Sequence, residues 1–400
     1  MIYLYITSLF FAFFPYISFV YTGTDIQPYS LIINLIIFSI LIVRNKTIKM
    51  SFINFLFFVP VLLSLTLIIF SENKFSGFRS LYGYLNLSIS LYVFLFIIRN
   101  SEKLYIRMLS ISIYLWTAVG LIQTFFYRDF LFFLLPRSIE AIAISESRGV
   151  NSLAPEPTFY GIISIFLVLI TATIPKEKLF NKNILIYLLL FSIILIAKSS
   201  MVILFLILYI IIYLLLHIFS LYKRPKIIIL LLITIFFFIN MDFSFLNGTR
   251  AYDLFLTAVE HPLEIAMLDA SMNDRLSAIY FSMKGFITSF GSPHPYGEYS
   301  NYLMQEVPHS NYFWYITIND RIKSFYGGVL FELGIVGMII FIGISYFLYR
   351  FYSYNIKLFL QYFLFVNAIL FTAVPLSLSL IPLYLASLYK YRIKKESNSK

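Results

Sequence analysis

The sequence predicts an all-α, polytopic integral membrane protein with about twelve transmembrane helices and a large helical loop on its outer side. Three observations predict it. Of 400 residues, 60% are hydrophobic and 12% charged, at a mean hydropathy of +0.86, which is more apolar surface than a soluble chain of this size can cover. The hydrophobic residues fall in runs able to cross a hydrocarbon core of roughly 30 Å, inside which backbone groups must be bonded within helices. The polar links between the runs alternate in charge. Aromatic residues, at 20%, fit wide lipid-facing surfaces and interfacial belts. Cysteine is absent, which excludes disulfides, thiolate metal sites and a Cys nucleophile.

In chain order the runs lie near 3–20, 30–43, 52–70, 80–98, 108–126, 157–174, 184–197, 200–220, 227–240, 327–349, 356–374 and 376–389. The first precedes any basic residue, Arg44 being the earliest, and lacks a small-residue cleavage site, so it is expected to stay as a span. The second, seventh, ninth and twelfth are short, which leaves the count open by about two. Residues 1–240 therefore form a bundle of about nine spans with an outer loop at 127–156. Residues 241–326 form a large outer loop, and 327–400 carry the last spans and a short tail. Neither an internal repeat nor an inverted symmetry of the transporter kind is visible.

The net charge of +11 would suggest nucleic acid or anionic lipid until it is distributed. One alternating set of links holds Arg44, Lys46, Lys49, Arg99, Lys103, Arg107, Lys176, Lys178, Lys182, Lys223, Arg224, Lys226, Arg350, Lys357, Lys390, Arg392, Lys394, Lys395 and Lys400, against the acids Glu102, Glu177 and Glu396 alone. By the positive-inside rule these links are cytoplasmic, with both termini inside, and no nucleic acid is expected as partner. The cytoplasmic links are too short for a folded catalytic domain. The outer side is different, because 250–290 mixes apolar and charged residues at near-helical spacing, as in amphipathic helices on a membrane surface.

There is no glycine-rich phosphate loop, no paired-aspartate motif and no histidine pair at zinc spacing, so neither a metal nor another cofactor is expected. An enzyme working at the outer face would need a donor available there, and a lipid-linked one qualifies. The first outer loop ends in SRGVNSLAPEPTFYG (147–161). The second contains Arg275 and, after fifteen residues, Gly291, then PHSNYFWY (308–315), and leads into GGVLFELGIVGMIIF (327–341). These segments resemble, in order and in position relative to the spans, the arginine–glycine, Glu-Pro-Thr, His-Asn and Glu-x-Gly-x-x-Gly motifs of bacterial O-antigen polymerases, and partly those of O-antigen ligases. The sequence departs in two places: His309 is separated from Asn311 by Ser310, and the interval from Arg148 to Gly161 is shorter than in the polymerases.

The resemblance implies a GT-C-like membrane glycosyltransferase of the bacterial inner membrane. Such an enzyme passes a glycan from an undecaprenyl-diphosphate carrier to a lipid-linked repeat unit at the periplasmic face, by a metal-independent, inverting route. It further implies undecaprenyl-diphosphate-linked oligosaccharides and membrane lipids as partners, with chain-length regulator and flippase proteins beside them. Arg148 and Arg275 are then candidates to hold the diphosphate, since guanidinium stays charged and binds phosphate oxygens in pairs. Each could instead pair with its neighbouring acid, Glu146 or Asp274. Arg250 and Arg321 are lesser candidates, with interfacial anchoring as the alternative.

His309 is the candidate general base, which would take the proton of an acceptor hydroxyl, and Glu156 between Pro155 and Pro157 is the second choice. The plainer reading of Pro-Glu-Pro-Thr is a helix start with Pro157 in the first turn. Glu332 lies within a span, where an ionisable group faces a cavity or a partner, and Gly334 and Gly337 beside it permit close packing. Gly291 is a structural candidate. Lys198, in the turn between two spans, either reaches phosphate or snorkels to the interface. His217 reads as an interface residue at a span end. The rival readings are an O-antigen ligase acting on lipid A-core, and a lipid-linked-oligosaccharide flippase, in which charges would line a path through the spans.

Overall fold

The computed structural model describes residues 1–20, 26–44, 55–71, 73–135, 149–222, 270–310, 314, 322–372 and 374–397, with 218–222, 270–272 and 393–397 as backbone only. Among them every regular element is helical: α1 (Ile2–Phe13), α2 (Tyr29–Val43), α3 (Val59–Phe70), α4 (Lys74–Asn100), α5 (Glu102–Phe125), α6 (Pro157–Thr173), α7 (Lys182–Ala197), α8 (Ser200–Tyr222), α9 (Ala270–Thr288), α10 (Glu298–Glu306), α11 (Phe325–Tyr352), α12 (Ile356–Thr372) and α13 (Leu380–Ser397). Eleven of the twelve expected runs fall on these helices, and the run at 227–240 lies outside the described residues. Four helices, α4, α5, α8 to His217, and α11, are long and apolar enough to cross a membrane, and six shorter apolar ones accompany them.

Boundaries moved where a local rule overrode hydropathy. α1 stops at Phe13 rather than near residue 20, because Pro15 has no N–H to donate and the chain turns there. α4 begins six residues before the apolar run at 80. Asn73 caps it, its side-chain oxygen accepting from the Ser76 N–H at 3.1 Å. The polar first turns were not read as helix because their residues look solvated, whereas Ser76, Gly77 and Ser80 face protein.

The surface identifies the medium. Along α8, Leu204, Ile207, Ile210, Ile211 and Leu215 are all exposed, a stripe that water would penalise and lipid would not. With mean hydropathy 2.6 over Ser200–His217 and most of its surface unburied, α8 is a peripheral helix of a membrane protein. By contrast α4 is the central helix: it packs along α13, and its Phe94, Ile97 and Ile98 are fully buried.

Since lipid is as apolar as leucine, burial does not hold such helices together, and packing and polar contacts must. Here a polar chain crosses the bundle. Ser8 donates to Asn34 at 2.5 Å, Asn34 to Ser90 at 2.8 Å, and Ser90 to Asn86 at 2.9 Å, while Asn86 donates to the Ser377 carbonyl at 2.8 Å. Each such bond contributes roughly 0.6 kcal/mol, and together they fix the register of α1, α2 and α4. Asn86–Ser90 is a π-helical turn within α4, a widening that brings Asn86 to the 377–379 segment.

Two ends of the bundle can be told apart by their contacts. At one, Lys178 pairs with Glu102, and the Arg99 and Arg350 guanidinium groups sit 5.2 and 4.8 Å from the Tyr389 ring centre. A second set of contacts joins the Val150 N–H to the Ile196 carbonyl, Ser199 to Thr158, and the Ser71 hydroxyl to the Tyr296 carbonyl.

Candidate functional site

The 149–156 segment enters the protein without helical structure, which is tolerated at membrane depth only if its backbone is satisfied by protein. Residues Val150–Pro155 are buried, and Gln123 of α5 satisfies the backbone of Ser152 at their centre. Its amide nitrogen donates to the Ser152 carbonyl at 2.9 Å and its amide oxygen accepts the Ser152 N–H at 2.6 Å. The Ser152 hydroxyl donates to the Trp116 carbonyl at 2.8 Å. Beneath, Phe14, Trp116 and Tyr160 stack in series, with ring centres 5.7 and 5.5 Å apart, which ties α1, α5 and α6 under the loop.

α7 meets this segment through a second π-helical turn, Ser192–Ala197. Ile196 lies in the last turn of α7, where a carbonyl has no helical donor, and the Val150 N–H takes it at 3.1 Å. A side chain at position 149 would overlap the Ala197 carbonyl, so only glycine allows this approach. Lys198 then adopts a left-handed backbone, φ 45°, to turn the chain into α8. Next to it Ser199 donates to Thr158 Oγ1 at 3.0 Å, joining the turn to the Pro-Glu-Pro-Thr segment.

An open cleft of about 340 Å³ lies here, walled by Gln123, Thr124, Phe125, Phe126 and Arg128 of the α5 end, by Gly149 and Val150, and by Leu195, Ile196 and Lys198. Both charged residues in its wall are cations. Lys198 is marked in the sequence by its turn between two spans, whereas the signal of Arg128 is only its place directly after an aromatic run at the end of a span.

Arg275, on the first turns of α9, lays its guanidinium against the sulfur of Met201, three residues beyond Lys198. Beside it the Asp274 carboxylate pairs with Lys323. The two motif-bearing loops thus meet at the 198–201 turn. Arg148, Arg250 and Arg321 lie outside the described residues, as does His261. Glu156 is the N-cap residue of α6 without a side-chain capping bond, and Pro157 occupies the first turn, as the plain helix-start reading expects.

His309 ends the short 3₁₀ turn Val307–His309 after α10 and is exposed. Its neighbour Ser310 accepts from the Trp314 indole N–H at 2.8 Å, and Trp314 stacks on Tyr280 of α9, 5.6 Å between ring centres. Tyr280 is five residues from Arg275, or about 7.5 Å along the helix. The structure brings His309 to the same α9–α10 unit as Arg275 but not into the wall of the cleft. Within that unit Lys284 pairs with Glu306, whose carboxylate raises the lysine above its ordinary range.

Glu332 accepts from Ser80 and from Tyr84, each at 2.7 Å, and Arg79 is near enough to act on its charge. It binds α11 to α4, a hydrogen-bonding role. Gly291 and Gly334 carry the docking of the α9–α10 unit on α11. Gly291 ends α9 at φ +74°, and its carbonyl accepts from the Ile335 N–H at 2.8 Å. Gly334, at φ +58°, lies so close that a Cβ would overlap that carbonyl. Gly337 makes its close approach within its own helix, to the Val329 carbonyl, where the 3₁₀ turn Gly334–Gly337 bends α11. His294 stacks on Phe331 at 4.1 Å in the same joint, and His217 bonds only along α8, to the Tyr213 carbonyl at 3.0 Å.

Fold and surface define a helical membrane protein. When compared with known proteins, the sequence matches no family model and no curated protein.

Proposed function

We propose that the protein is a membrane glycosyltransferase of the O-antigen polymerase type, which extends a surface glycan by transfer from an undecaprenyl-diphosphate carrier to a lipid-linked repeat unit. One observation carries this reading: the segments that resemble the polymerase motifs, 147–161 and 275–291, are distant in sequence and converge on the 198–201 turn through the Ser199–Thr158 bond and the Arg275–Met201 contact. Arg275 would neutralise the diphosphate as it leaves, and His309, carried by the same α9–α10 unit, would take the acceptor proton.

The reading includes about twelve spans with both termini in the cytoplasm and the 198–201 turn at the periplasmic face of a bacterial inner membrane. The sorting of contacts supports it, since basic links assigned inside meet one another at Glu102–Lys178 and at Tyr389, while links assigned outside meet at Ser199–Thr158 and Ser71–Tyr296.

The test is to incubate purified protein with an undecaprenyl-diphosphate-linked repeat unit, without metal or nucleotide, and follow glycan length. A ladder that is lost in Arg275→Ala is expected. Absence of a ladder beside an active control polymerase rejects the reading and turns attention to lipid A-core as acceptor, then to lipid flipping. His309→Gln should lower turnover by about a hundredfold or more and remove the acidic limb of the pH–rate profile. An unchanged profile would reject His309 as the base and move the same test to Glu156.

A further inference from the structure

We infer that Arg99 and Arg350, whose guanidinium groups meet on the Tyr389 ring, form a binding site for the head group of an anionic phospholipid. By the charge pattern the leaflet concerned is the cytoplasmic one. The inference goes beyond the proposed function, since these residues belong to none of the segments that resemble the polymerase motifs and the ligand is a bulk lipid.

Three helices build the site. Arg99 stands in the last turn of α4 and Arg350 in the last turn of α11, while α13 packs on both helices and supplies Tyr389. With guanidinium carbons 5.2 and 4.8 Å from one ring centre, two positive groups are held close together by a single side chain. The ring face attracts each of them, but they repel one another. Among the described residues neither guanidinium has an ion pair or a hydrogen bond, so the N–H donors of both are unbonded. Glu102, three residues beyond Arg99, is held by Lys178. The helix dipole favours a cation in a last turn, which accounts for each arginine singly and not for their meeting on one ring. A phosphate between them turns the repulsion into attraction and offers paired oxygens to each guanidinium plane.

The approach to Arg350 selects a lipid over a free phosphate. Ile342, Tyr346 and Tyr349 lie on the same face of α11 as Arg350 and are 59%, 38% and 52% exposed. α11 is long and apolar enough to cross a membrane, so this stripe is a track for an acyl chain, and the arginine stands where hydrocarbon gives way to head groups. A free phosphate gains nothing from the stripe. Phosphatidylcholine would bring its own ammonium against two cations, whereas the phosphatidylglycerol head carries none, and basic pockets between spans suit such anionic heads.

The experiment adds phosphatidylglycerol, phosphatidylcholine or glycerol 3-phosphate to the delipidated full chain in detergent and counts bound molecules by native mass spectrometry. Phosphatidylglycerol should bind at least about tenfold more tightly than either of the others. Arg99→Gln with Arg350→Gln should weaken it by about tenfold or more. Lys103→Gln with Arg107→Gln removes the same charge from exposed positions on α5 and should leave binding unchanged. Undiminished binding by the arginine variant overturns the site, as does an equal loss in both variants, which would reduce the effect to overall charge. Glycerol 3-phosphate bound as tightly as the lipid overturns the lipid as occupant and marks a free-phosphate site.

If the arginine variant does not fold, phosphatidylglycerol with a diazirine on its acyl chain decides the question on the unaltered protein in phosphatidylcholine nanodiscs. Adducts at Ile342, Tyr346 or Tyr349 enriched over those from phosphatidylcholine with the same diazirine support the site, and equal labelling there rejects it. Neither glycan nor polyprenyl carrier is present in these assays, so the two readings fail separately. Selective binding without a glycan ladder removes the polymerase and keeps the lipid site, whereas a ladder with binding indifferent to Arg99 and Arg350 does the reverse.

Discussion

Gln123 satisfies both backbone groups of the buried Ser152. Gln123→Ala removes the partner of two buried groups, each costing about 1–3 kcal/mol, and should lower the thermal midpoint in detergent together with any activity. Glu332 separates a structural from a chemical role in the same way. Glu332→Gln can still bond Ser80 and Tyr84 and should keep fold and turnover, whereas Glu332→Leu strands both hydroxyls and should lose stability. A folded Glu332→Gln variant without turnover would show that the charge itself takes part. The sequence pointed to Glu332 through the cost of an acid in a span, but its partners are more than two hundred residues away in sequence and carried no signal. Gln123 gave none either, because an amide near a span end looks like any interfacial residue.

Two π-helical turns shape the bundle, one in α4 that brings Asn86 to the 377–379 segment and one at the end of α7 beside the candidate site. Removing Ile194 should restore α-helical pairing in α7 and withdraw the Ile196 carbonyl from Val150. The protein should then remain in the membrane but unfold earlier in detergent, because the buried Val150 N–H loses its partner. α9 shows how small residues direct an element. Its Ser282 and Gly285 face Gly327 and Phe331 of α11, so part of the amphipathic helix docks on protein, where surface-lying helices were expected. The joint continues at Gly297, where an added Cβ would come within 2.7 Å of Asn73 Cβ. Gly297→Ala should therefore strain this joint and lower the thermal midpoint in detergent, and an unchanged midpoint would place the α9–α10 unit elsewhere.

For the whole molecule, the charge pattern makes a sidedness prediction. Single cysteines at Ser289 and at Lys103 should react on opposite sides of the membrane, Ser289→Cys alone being labelled by an impermeant maleimide in intact spheroplasts. Labelling of both from outside would overturn the assigned topology. The polar chain Ser8–Asn34–Ser90–Asn86 belongs to the same scale, since it ties α1, α2 and α4 to the segment before α13. Asn34→Leu should loosen this bundle by about 1–2 kcal/mol, visible as earlier unfolding in detergent.

The sequence by itself determined the class and the run of helices, because hydropathy acts over whole segments and a bilayer penalises any unbonded backbone regardless of neighbours. It placed eleven described helices within a few residues, except where Pro15 cut one short and Asn73 lengthened another. The candidate site was legible only in part: Arg275, Lys198 and Glu156 stood out by residue type and position, while Arg128 and Gln123 did not. Tertiary structure decided which of them meet. Convergence at the 198–201 turn depends on a π-helical turn, a glycine that lets two backbones touch and a glutamine bonding a loop from another element, and none of these contacts leaves a periodic trace in the chain.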